Sequence, residues 1–199
     1  MATRTVYLIR HGKIQTQDNN KRYVGQIDLP LSEDGMRQAV HLKKRLAGED
    51  INTIYCSDLS RTRKTAEIIA ASMCIRIIAR KDLREINMGE WEGCTFAEIE
   101  RCFPAEFKAR GENIANYRVA GGESFAECSQ RVTTAFDDIL RYSVGNILIV
   151  GHAGVNRLIL CHVLGIPLSN LFRIDQDYGC LNIIKCSNSS SHVALTNDI

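Results

Sequence analysis

The chain has 199 residues, 45% of them hydrophobic and 24% charged, and its 25 basic and 23 acidic side chains leave a net charge of +2. This is the make-up of an ordinary soluble globular protein, long enough for one domain (1–199) and a core that removes roughly 70% of the unfolded surface from water. The near-neutral charge, with no basic tail or acidic block, argues against a nucleic-acid partner, and no apolar run approaches the ~20 residues of a membrane span. The eight cysteines form no C-x-x-C pair and match no zinc spacing. They read as reduced thiols used as small core residues, and with no leader-like N-terminus the expected compartment is the cytoplasm.

The first element, Thr5 to Gly12, is T-V-Y-L-I-R-H-G. Its apolar run shows no polar alternation, which predicts a strand buried on both faces of a helix-covered sheet. It ends in Arg10, His11 and Gly12, and open α/β sheets place ligands at that strand end. Lys13 to Pro30 is a long polar connector of the kind that carries function. Ser32 is the expected N-cap of a helix with Ala39, Leu42 and Leu46 on one face, ended by Gly48. A second strand, Ile51 to Ser57, leads into a helix over Asp58 to Ser72 with Leu59, Ala66, Ile69 and Ala70 inward. Arg63 and Lys64 read as a solvated face, while Arg61 is placed to turn back over the strand end.

Ile75 to Ala79 is the third strand. Asp82 to Gly93 is irregular and carries Arg84, Glu85, Glu90 and Glu92. Thr95 with Glu98 is a capping-box signature, Pro104 ends or restarts that helix, and Gly111 to Gly122 reads as a loop. Ser124 with Glu127 opens a long helix whose stripe runs Phe125, Cys128, Val132, Ala135, Phe136, Ile139, Leu140. Ile147 to Val150 is a strand that runs into Gly151 and His152. Val155 to Leu164 is an apolar, hence buried, helix stopped by Gly165 and Pro167. Cys180 to Lys185 and His192 to Leu195 flank an S-N-S-S-S turn, a terminal antiparallel hairpin at the sheet edge. The expected fold is α/β: three layers, a mostly parallel sheet flanked by helices, with a small helical insert and that C-terminal hairpin.

Of the five histidines, His41, His162 and His192 read as structural. His11 and His152 differ, because each follows a buried strand into a small-residue turn, which delivers two imidazoles to one sheet edge.

These residues carry a resemblance. L-I-R-H-G at Leu8 to Gly12, S-D-L-S-R-T-R-K-T-A-E at Ser57 to Glu67, L-R-E-I-N-M-G-E-W-E-G at Leu83 to Gly93, G-G-E-S at Gly121 to Ser124 and V-G-H-A-G-V-N-R at Val150 to Arg157 resemble, in order, the motifs of the histidine phosphatase (phosphoglycerate-mutase-like) superfamily. The resemblance implies that His11 is the nucleophile, that Arg10, Arg61 and His152 surround the phosphoryl oxygens, and that Glu85 is the general acid and then the base. It implies substrate contacts from Arg22, Ala153 and a residue of the loop after the first motif. Gln17 aligns there with an asparagine common in the family, in a loop one residue longer that also offers Asp18 and Asn19. Lys13 and Ile14 stand where the family has a glutamate–threonine pair.

Charge chemistry points the same way. Phosphoryl transfer needs positioning and neutralisation of three equatorial oxygens, and guanidinium forks supply both. The same cations keep an imidazole neutral and nucleophilic. An alkoxide leaving group needs a proton from a placed carboxyl. No metal or cofactor is expected. The expected activity is a phosphomonoesterase acting on a small phosphorylated metabolite. R-Y-V-G-Q-I-D-L-P-L at Arg22 to Leu31, the compact length and the short insert resemble the α-ribazole 5′-phosphate phosphatases of cobalamin biosynthesis. The alternatives are a phosphoglycerate mutase, whose insert is usually longer, and a catalytically silent phospho-ligand binding module, which would not need Glu85. An apolar edge or helix could make a homodimer, which sequence leaves open.

Overall fold

A computed structural model describes residues 3–18, 20–71, 73–187 and 190–199. The first strand, β1 (Arg4–Arg10), lies at the centre of the sheet. It pairs in parallel with β4 (Asn146–Gly151), β4 pairs in parallel with β2 (Ile51–Ser57), and β2 with β3 (Arg76–Arg80). On its other side β1 runs antiparallel to β5 (Leu181–Cys186), and β5 runs antiparallel to β6 (Ser191–Asp198). The order is β3-β2-β4-β1-β5-β6, a mixed sheet with its parallel part on one side and the expected terminal hairpin on the other.

The unbroken apolar strands are explained by cover on both faces. Val6 and Leu8 pack with Ile147 and Ile149 under α5 (Phe125–Tyr142) and α6 (Ala153–Leu164). Tyr7 and Ile9 point the other way and pack with Leu148 and Val150 under α1 (Glu33–Arg45) and α2 (Ser60–Ala70). Side chains alternate faces along a strand, so a strand covered twice must be apolar at every position. The insert is α3 (Phe96–Cys102) followed by α4 (Pro104–Glu112).

The local signals formed as expected. Ser32 caps α1 by accepting from the Gly35 amide, and both capping boxes, Thr95 with Glu98 and Ser124 with Glu127, are made in both directions. Pro104 restarts the chain as the first residue of α4.

Several boundaries differ from the sequence reading, the two hairpin strands included, which run over Leu181–Cys186 and Ser191–Asp198. The second helix starts at Ser60 rather than Asp58, because the Asp58 carboxylate is held by Arg84 at 2.6 and 2.7 Å and does not cap it. The third strand runs one residue later, over Arg76–Arg80. The insert's second helix continues through Gly111 and Glu112, which shortens the expected loop. The last helix starts at Ala153, two residues before Val155, since Glu85 supplies acceptors for its first amides. That helix is also not buried throughout: His162 is exposed and lies 3.5 Å from Asp137. Ser72, Asn19 and the middle of the S-N-S-S-S turn lie outside the described residues.

Candidate active site

Pairing of β1 with β4 places Arg10 opposite Gly151. The next residues of each strand are therefore side by side, and the His11 amide donates to the Gly151 carbonyl at 3.1 Å. The two imidazoles sit with ring centroids 5.1 Å apart, both buried. Gly12 permits this turn, because a Cβ there would lie 2.3 Å from the Gly35 carbonyl oxygen of α1.

Hydrogen bonds assign each ring a tautomer. His11 Nδ1 lies 2.7 Å from the Gly12 carbonyl, which can only accept, so Nδ1 carries the proton and Nε2 keeps its lone pair. Arg61 Nε, which can only donate, points at His152 Nδ1 at 3.3 Å. His152 Nε2 then carries the proton and donates to Ser57 Oγ at 2.8 Å, and Ser57 is itself tied to Thr62. Burial holds His11 well below the ordinary imidazole range, and Arg61 and then Arg10 push it further. His152 is lowered in the same way, by burial first, then Arg61, His11 and Arg10.

Arg61 is the largest fully buried side chain, 1% exposed. Its Nη1 donates to the Ile27 carbonyl at 2.7 Å and its Nη2 to the Gly25 carbonyl at 2.6 Å. Three of its N–H bonds are thus engaged by the protein, which leaves two for a ligand. The 25–27 segment that grips it is held from behind by Glu92, which accepts the amides of Gly25, Gln26 and Ile27 and also that of Met88. Sequence alone makes Glu92 a solvated or capping loop residue. Its role comes from a loop about 65 residues away.

Arg10 lies with its guanidinium carbon 3.6 Å from the centre of the Tyr178 ring and donates Nη1 to the Gln176 carbonyl at 2.6 Å. Its Nε is buried with no hydrogen-bond partner. A desolvated donor left open is what an anion site requires, since such a group is costly without an acceptor. Glu85, 8% exposed, rests on the start of α6: Oε2 accepts from the Gly154 amide at 3.0 Å and Oε1 from the Val155 amide at 3.2 Å. The neighbouring Arg84 pairs with Asp58.

Arg10, His11, Arg61, Glu85 and Ala153 line one cavity of about 890 Å³, whereas His152, fully buried, is not in its lining. Arg22 also lines it, with Nη2 on Asp18 at 2.6 Å and Nη1 on the Gly93 carbonyl. Gln17 does not: it is exposed and outside the lining, while Thr16 and Asp18 face the cavity. Sequence reasoning assigns no role to Arg157, Arg110 or Tyr178, all of which line it. Arg157 stands inside a quoted motif. Tyr178 and Gln176 lie in a loop with no motif, so nothing local marks them. The lining is also aromatic, with Tyr23, Phe96, Phe107, Phe125 and Phe172 in it. His41, His162 and His192 are not in the lining. Among the described residues no three His, Cys, Asp or Glu side chains gather as a metal site.

The two neutral histidines make stability pH-dependent. Each should gain a proton near its ordinary value of 6.5 when the chain unfolds, but stays neutral in the fold to well below it. Below pH 6.5 the unfolded chain therefore binds more protons, and stability is expected to fall with pH by up to ~1.4 kcal/mol per unit for each histidine. Urea titrations between pH 7.5 and 5.5 check this, and a His11→Gln variant should lose one histidine's share of the slope.

Comparison with known proteins identifies the family and the fold. Residues 6–199 match the family model described as histidine phosphatase superfamily (branch 1). A Yersinia pestis (strain Pestoides F) protein named "Probable phosphoglycerate mutase GpmB" is 35% identical over 166 residues, which are 81% of this chain and 75% of that protein. Bacillus stearothermophilus YhfR superposes with a TM-score of 0.88 at 32% identity, over 98% of this chain and 97% of that one. The α-ribazole phosphatase from Shigella flexneri superposes with a TM-score of 0.90 at 26% identity, over 98% and 96%.

Proposed function

Because the chain belongs to the histidine phosphatase superfamily, we propose that it is a metal-independent phosphomonoesterase working through a phosphohistidine on His11. The observation that carries this reading is the pairing of a neutral His11, its Nε2 lone pair unused, with a buried, partnerless Arg10 Nε in the same cavity. The substrate's phosphoryl oxygens take the open N–H bonds of Arg10 and Arg61. His11 Nε2 attacks phosphorus, an N–P bond forms, and the ester P–O bond breaks. The electron pair goes to the leaving oxygen, which receives a proton from Glu85. In the second half Glu85, now a carboxylate, takes a proton from water as the water oxygen attacks phosphorus. The N–P bond breaks and inorganic phosphate leaves.

The substrate we propose is α-ribazole 5′-phosphate or a similar aromatic nucleotide-like ester. Its support is the set of aromatic side chains in the cavity lining, with Tyr23 and Phe96 centroids 4.2 Å apart and the Arg110 guanidinium over both Tyr23 and Phe125. Such walls suit a flat apolar ring. Eight unpaired cysteines, five of them buried, fit work in a reducing cytoplasm. The competing reading is phosphoglycerate mutase, which the name of the Yersinia pestis relative supports.

The test is kcat/KM for α-ribazole 5′-phosphate, 4-nitrophenyl phosphate and 3-phosphoglycerate, each with chelator. The expected result is a preference of about 100-fold or more for the ribazole ester over the aryl ester, unchanged by chelator. Conversion of 3-phosphoglycerate to its 2-isomer without phosphate release would establish the mutase instead.

A further inference from the structure

The Glu85 carboxyl is held from two directions. Its Oε1 accepts the amides of Val155 at 3.2 Å and Ile86 at 3.1 Å, and its Oε2 accepts the Gly154 amide at 3.0 Å. A carboxylate oxygen has about two acceptor sites. Oε1 is therefore filled, and Oε2 keeps one site for a proton. The backbone behind Glu85 is fixed as well. Gln26 Nε2 donates to the Glu85 carbonyl at 3.1 Å, and Arg131 Nη1 donates to the carbonyls of Asp82 and Arg84 at 2.8 and 3.0 Å.

Gly154 makes room for this arrangement. A Cβ on residue 154 would lie 2.5 Å from Glu85 Oε1, 3.3 Å from its carboxyl carbon and 3.4 Å from the Phe125 ring. Gly154 is not among the residues with positive φ, so no backbone torsion requires glycine here. Inside α6 an alanine would be the better helix former on intrinsic propensity. What the position needs is the missing side chain.

We infer that Gly154 is a positioning residue for Glu85: its bare Cα and its amide, with the Val155 amide, form the seat that aims the proton-bearing Oε2 at the leaving oxygen. This rests on the phosphatase reading above. A methyl group at 154 displaces the carboxyl but leaves Arg10, Arg61 and His11 in place, so phosphate still binds and His11 still attacks. The loss then scales with how badly the leaving oxygen needs a proton.

The experiment measures kcat/KM of Gly154→Ala on a simple alkyl phosphate and on 2,4-dinitrophenyl phosphate, whose phenolate leaves unprotonated, in the natural chain and in Glu85→Gln. The expected result is a fall of about 100-fold on the alkyl ester and under about 5-fold on the dinitrophenyl ester. Inhibition by inorganic phosphate should stay within about 3-fold, and Gly154→Ala should cost nothing further on the alkyl ester in the Glu85→Gln background. Equal losses on both esters, or an undiminished cost in the Glu85→Gln background, would overturn the inference while leaving the phosphatase reading intact. Failure of Glu85→Gln itself to discriminate between the two esters would overturn both. Should Gly154→Ala not fold, Glu85→Ala/Gly154→Ala is expected to melt within about 2 °C of Glu85→Ala, since the clash is with Glu85. A double variant that stays unfolded places the constraint elsewhere and overturns the inference.

Discussion

His11→Ala is expected to lower kcat/KM by about 10⁴- to 10⁶-fold, the scale set by removal of a covalent nucleophile. The second imidazole cannot replace it, being fully buried and outside the cavity lining. His152 has its Nδ1 lone pair pointed at Arg61 Nε and its Nε2 proton given to Ser57, so neither nitrogen is free to attack. The fold should survive, because the alanine removes a ring but leaves the His11 amide bonded to the Gly151 carbonyl. Rapid-quench labelling separates chemistry from folding. The natural chain should accumulate acid-labile phosphohistidine from a phosphorylated substrate, and the variant should accumulate none while keeping its far-UV spectrum. Turnover within tenfold of the natural chain would exclude the phosphohistidine route.

Arg61→Met is expected to lower kcat by about 10³-fold or more, comparable to removal of a guanidinium from a phosphoryl-transfer site. It should also destabilise the fold by about 3 kcal/mol, the scale of breaking a buried charged network. Both effects have one origin. The guanidinium that keeps two N–H bonds for a ligand also bridges the Gly25 and Ile27 carbonyls and orients His152. Methionine fills similar volume but leaves those two acceptors without a donor. Arg61→Lys should recover only part of the activity, since one ammonium cannot span both carbonyls and still face His152. Urea unfolding together with steady-state kinetics distinguishes the two losses. A variant with ordinary kcat and reduced stability would make Arg61 a structural strut and nothing more.

What the chain determined by itself was whatever depends on neighbours a few residues apart. The capping boxes at Thr95/Glu98 and Ser124/Glu127 join groups three residues apart, so spacing alone announces them. The unbroken apolar strands dictated a sheet covered on both faces, and the histidines after two such strands dictated which edge carries chemistry. The motif order added the roles that the resemblance implies for Arg10, Arg61 and Glu85.

Tertiary structure alone decided how these groups are supported. His11 meets His152 because β4 inserts between β1 and β2, a pairing across the whole chain that no local period encodes. Arg10 is seated by Gln176 and Tyr178, residues some 166 positions away in a loop without pattern. Arg22 and Gln17 show the same limit in a loop. The motif resemblance offers both as contacts, but the backbone path turns Gln17 outward and sets Asp18 against Arg22 inside the cavity. Sequence specifies which side chains are able to do the chemistry. Their hydrogen-bond partners come from whatever the packed layers bring within about 3 Å, and that distance is a property of the fold.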